Sequence, residues 1–93
     1  MPRRDFHHIN DTPATLVWAM VGQHVRIKAA PHRIGQVISA RYHSGQIMFL
    51  FRLDSRFVER FADMWFQDHD LEECVRPTDE YVAQINAIRN QRA

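Results

Sequence analysis

Several things are scarce in this sequence, and each scarcity excludes something. There is one cysteine, Cys74. No disulfide can form within the chain, and the expectation is a small apolar residue in a reducing compartment. The glycines number three and are scattered, so no glycine-rich loop can cradle a phosphate. The longest apolar run, Ile47 to Phe51, is too short to span a bilayer. The opening MPRRDFHHINDT lacks the apolar stretch of a secretory signal, so a soluble, cytoplasmic protein is expected. His7, His8, His24, His32, His43 and His69 do not have the spacing of a metal motif, and one thiol makes no cluster. Asp68-His69-Asp70 reads as a turn rather than a cation grip. No Ser/His/Asp or paired-carboxylate arrangement stands out. The expectation is a non-enzymatic protein with no metal and no cofactor.

What is present points to a folded domain. Of 93 residues, 45% are hydrophobic and 11% aromatic, enough for one real core and too few residues for two. The net charge of +1 hides an asymmetry. Residues 1–60 carry nine Lys/Arg against four Asp/Glu, whereas residues 61–93 carry three against seven. This is a weak hint of one basic face.

Along the chain, residues 1–10 show no periodicity and read as a flexible arm, leaving 11–93 as a single domain. Thr12 and Pro13 suit the N-cap and first position of a short helix that Gly22 can end. From Gln23 the period becomes two: Val25, Ile27 and Ala29 alternate with His24, Arg26 and Lys28. Pro31 should stop that strand, and Ala30–Arg33 should form a loop. A second strand is expected from Ile34 to His43. Its apolar residues Val37, Ile38, Ala40 and Tyr42 do not alternate cleanly, which suggests a bulge near Ser39. His43-Ser44-Gly45 is a hairpin signal.

A third strand, Gln46 to Leu53, places Ile47, Phe49, Phe51 and Leu53 on one face. Met48 and Leu50 lie on the other, where the terminal helix or a second subunit should cover them. A fourth strand is expected over Phe61–Gln67, then a tight turn or a single 3₁₀ turn at Asp68–Leu71, then a short strand around Glu73–Val75. Pro77 and Thr78 open a C-terminal helix with Asp79 and Glu80 in its first turn and Tyr81, Val82, Ile85 and Ile88 as its stripe.

The stretches GQHVRIK, IGQVISARY, IMFLFRLD and MWFQDHDLEE, over residues 22–75, resemble the SH3-like small barrels, with the Tudor-like and KOW-like branches nearest. The resemblance implies a mainly β protein: a five-stranded SH3-like barrel with a short N-terminal and a C-terminal helix. A plainer five-stranded barrel such as an OB fold is the alternative. GQHVRIKAAPHRIGQVISARY also looks like the early strands of the plasmid-borne type II dihydrofolate reductases. Their pore is lined by Val-Gln-Ile-Tyr in the fourth strand. Here the corresponding stretch is Ala62-Asp63-Met64-Trp65, so the residues for that activity are missing.

Two sets of side chains are candidates for binding. Tyr42, Phe57, Trp65 and Phe66, with Phe61 nearby, could form an aromatic groove for a protein partner, the alternative being a place in the core. Trp65 and Tyr42 are expected to face outward. Arg26, Lys28, Arg33, Arg41 and Arg52 could gather into a patch for nucleic acid, the alternative being a solvated face. The leading expectation is a module that binds a protein and self-associates through Met48, Leu50 and the C-terminal helix. A nucleic-acid-binding barrel is second.

Overall fold

A computed structural model of the chain describes residues 19 and 21–92, the side chains of His43 and Arg92 excepted. The expected arm over 1–10 and helix over 13–20 lie outside the described residues, Ala19 apart. The architecture is mainly β. Among the described residues, five antiparallel strands form one sheet in the order β4-β3-β2-β1-β5, and one helix follows. The strands are β1 (His24–Ile27), β2 (Ala30–His43), β3 (Gln46–Leu53), β4 (Met64–Gln67) and β5 (Leu71–Glu73), and the helix is α1 (Asp79–Arg92). Among the described residues β4 and β5 are the two edges, so the hydrogen-bonded sheet is not closed.

The alternation that marks β1 and β3 in the sequence survives intact. Val25 and Ile27 are buried on β1, and Ile47, Phe49, Phe51 and Leu53 on β3. Phe49, Phe51, Val25 and Val37 are fully excluded from water, each contributing about 1.5–3 kcal/mol by burial. Ser44 and Gly45 join β2 to β3 with φ of 50° and 79°. Two successive positive φ angles are what the tightest hairpin turn with right-twisted strands demands. The irregularity expected near Ser39 falls between Val37 and Ser39, leaving Ile38 without a partner on β3.

Three boundaries differ from expectation. Pro31 does not stop a strand; it lies inside β2, which begins at Ala30 directly after the turn Lys28-Ala29. The proline is accommodated because the β1–β2 register jumps there, from Arg26 opposite Ile34 to Ile27 opposite Ala30. A residue without an N–H costs no ladder bond in such a gap. The fourth strand starts at Met64 rather than Phe61. Phe61 precedes it and sets its ring edge-on to Phe51, with centroids 5.9 Å apart. The last strand is earlier than Glu73–Val75. A 3₁₀ turn at Asp68–Asp70 delivers Leu71 opposite Ile27, where it is buried, whereas Val75 is 82% exposed.

Thr78 caps α1 by accepting a hydrogen bond from the Tyr81 N–H on its Oγ1 at 3.0 Å. Val82 enters the core with Tyr81 and Ile85 packed beside it, whereas Ile88 stays exposed. The helix does not lie along β3. It is fastened to the loop after it: Asn86 accepts from the Val58 N–H and donates to the Arg56 carbonyl, both at 3.0 Å. Among the described residues no helix is long and apolar enough to cross a membrane.

Candidate functional site

The alternation that buries Phe49 and Phe51 necessarily turns Met48, Leu50 and Arg52 to the other side of β3. Cross-strand pairing then fixes their neighbours. Arg41 of β2 and Gln67 of β4 flank Met48, and Ser39 and Trp65 flank Leu50. The Arg41 guanidinium stands over the Trp65 ring, 4.3 Å from its centroid. These two residues belong to strands on either side of β3, which are about 10 Å apart. They therefore reach toward each other above β3 and leave Met48, Leu50 and Trp65 each half-buried. The stack satisfies the cation electrostatically while keeping an aromatic plane at the surface.

The remaining aromatic candidates go elsewhere. Phe57 is in the core. Phe66 points inward opposite Phe49 and packs edge-on to Phe51, with centroids 5.8 Å apart. Tyr42 packs on the core opposite Ile47, beside a shallow hollow near the β2–β3 turn. Of the rings expected to face outward, Trp65 is set beside polar and aliphatic groups on the outer face. Tyr42, Phe57, Trp65 and Phe66 are not gathered into one groove.

The basic set is largely matched by carboxylates. Arg26 is paired with Glu72, Arg33 with Glu59, and Arg52 with Asp63, the last at 2.7 Å. Arg33 also lies over the Phe61 ring at 4.9 Å. Hydrogen bonds from these guanidiniums hold the carboxyls of Glu59 and Asp63 below their ordinary range. Lys28 is exposed at the β1–β2 turn. Among the described residues, Lys28 and Arg41 are the two members of the set without an ion-pair partner. Burial pushes the Cys74 thiol up, which leaves little thiolate at neutral pH.

In the loop after β3 the sequence singles out Phe57 but not the polar residues beside it. Asp54 accepts from the Arg56 N–H at 2.9 Å, an Asx turn of the kind that a short Asp-Ser-Arg run can signal. Both carboxylate oxygens of Asp54 also take the Arg56 guanidinium, which reaches on to Asp79 and the Pro77 carbonyl. The hydrogen bond from Arg56 is the main reason the Asp54 carboxyl sits below its ordinary range. One arginine thus ties the loop to the start of α1.

No family model matches this chain, and comparison with curated proteins and with solved structures found no significant match.

Proposed function

We propose that this protein is a small non-enzymatic binding module that engages a protein partner through the outer face of β2, β3 and β4. The observation that carries the reading is the Arg41–Trp65 stack above Met48 and Leu50. An aromatic plane, an arginine and a methionine side by side are residue types enriched where proteins meet. For the scaffold we propose an SH3-like barrel working in the cytoplasm. Its support is the set of features on which the sequence resembles those barrels: five strands, a bent second strand and a turn before the fifth. Self-association through Met48, Leu50 and α1 is a second use of the same surfaces.

A nucleic-acid interface is less well supported. Arg26, Arg33 and Arg52 each already neutralise a carboxylate, which weakens their pull on a phosphate backbone. Of that basic set, among the described residues, Lys28 and Arg41 alone carry no such ion pair. The test combines selection of peptide ligands with tryptophan-fluorescence titration against short single- and double-stranded DNA and RNA at low and high salt. The expected result is a protein ligand whose affinity changes little with salt and is lost in Trp65→Ala. A saturable, steeply salt-dependent response to nucleic acid, lost in Lys28→Ala or Arg41→Ala, would replace this reading with the other.

A further inference from the structure

We propose that the cleft between the end of β3 and the segment after β5 is a binding site for a phosphate-type oxyanion. The cleft has a volume of about 300 Å³ and a mostly polar lining. Its floor is a row across three strands, with His24 opposite Gln36 and Gln36 opposite Arg52. Ser55 and Arg56 of the loop after β3 and Arg76 from beyond β5 complete it.

The distribution of charge decides what could enter. Asp54 is the carboxylate on the lining, and both its oxygens are engaged by Arg56 at 2.9 Å. Arg56 is itself nearly saturated, by Asp54, Asp79 and the Pro77 carbonyl. Asp63 holds Nε and Nη2 of Arg52 but not Nη1. That leaves Nη1 of Arg52, the Arg76 guanidinium, the His24 imidazole and the Ser55 hydroxyl without a hydrogen-bond partner among the described residues. The uncommitted donors therefore outnumber the uncommitted acceptors, and they come from β1, β3, the loop and the post-β5 segment. A flat carboxylate is served by one guanidinium fork, whereas donors arriving from several elements suit the four oxygens of a tetrahedral anion. The site stands independently of the outer-face reading, although Arg52 is only two residues, about 7 Å, along β3 from Leu50.

The experiment is an amide-shift titration of the ¹⁵N-labelled full chain with inorganic phosphate and, separately, with O-phosphoserine, against chloride at matched ionic strength. Saturable shifts confined to the neighbourhoods of His24, Arg52, Ser55 and Arg76 are expected. Both probes should weaken about tenfold or more in Arg76→Gln, since a charge-assisted hydrogen bond is lost. They should be unchanged in Arg60→Gln, a change at an exposed arginine outside the cleft. Tighter binding of O-phosphoserine would assign the anion to a modified partner side chain, and equal or weaker binding would assign it to a free anion. Shifts that do not saturate, that chloride reproduces, or that survive in Arg76→Gln overturn the proposal.

Discussion

Gly35 and Arg52 touch backbone to backbone: a Cβ on Gly35 would lie inside the carbonyl group of Arg52, 2.7 Å from its carbon. It would also be 2.9 Å from the Leu53 Cα. Gly35 is the middle of a row in which Val25 and Leu53 supply the apolar bulk on either side. Since the obstacle is backbone, it cannot rotate away. Gly35→Ala should cost about 3 kcal/mol, at the upper end for overpacking, whereas Gly45→Ala meets open space and should cost about 1–2 kcal/mol for its positive φ alone. Urea unfolding of the two variants checks the difference, and equal midpoints would refute it.

The Arg41–Trp65 stack predicts a coupling with little structural consequence. Arg41→Ala and Trp65→Ala should each leave the fold intact, because Arg41 is exposed and Trp65 half-buried. A double-mutant cycle on unfolding should give about 0.5–1 kcal/mol between them. A coupling indistinguishable from zero would mean that the stack does not persist in solution.

Asn86 is expected to act as the latch of α1. Its amide satisfies one donor and one acceptor of the loop backbone, so Asn86→Ala leaves both without their protein partner. The cost should be about 0.5–1.5 kcal/mol, the net worth of hydrogen bonds whose groups water can reach. Amide exchange should accelerate in α1 and at Val58 well before it does in β3. Uniform acceleration over the whole chain would show that the helix and sheet open as one unit.

Acid should weaken the protein through Asp54, Glu59 and Asp63. Each carboxyl is held below its ordinary value of 3.8 or 4.5, chiefly by hydrogen bonds from Arg56, Arg33 and Arg52 respectively. A depressed folded-state pKa contributes stability that is fully present above the unfolded value and is lost as pH falls through the folded one. Urea midpoints should therefore be steady from pH 7 to about 5 and decline below about 4.5. Glu59→Gln should shrink that decline. An unchanged acid limb in this variant would remove the Arg33–Glu59–Arg89 cluster from the explanation.

Much of the sheet can be read from the chain, because burial on one face writes a period of two into Val25–Ile27 and Ile47–Leu53. The failure of that period in Val37–Ile38 likewise gave away the bulge. Pro31 misled, since its effect on a strand depends on whether its missing N–H faces a partner, and the register jump that spares it is a tertiary property. The last strand slipped for a related reason. Val75 has the better strand propensity, yet Leu71 is the residue that the turn at Asp68–Asp70 delivers opposite Ile27. The ion pairs were not legible at all. Arg33 and Glu59 are 26 residues apart, and Arg26 and Glu72 are 46 apart, so only the fold chooses those partners. That choice largely neutralised the basic patch suggested by sequence, and it left Arg41 free to meet Trp65.

Ile38 also sets the numbering rule of its strand. Just before it, Gly35 and Val37 are buried with exposed Gln36 between them; after it, the even positions Ala40 and Tyr42 pack on the core. Excising Ile38 would merge the two rules into one uninterrupted alternation, with every neighbour still on its present side and only the bend gone. A deletion anywhere from Ala40 to Tyr42 would do the opposite, exchanging inside for outside over the residues beyond it. The bulge at Ile38 is thus the position at which the length of β2 can change without rewriting the surface.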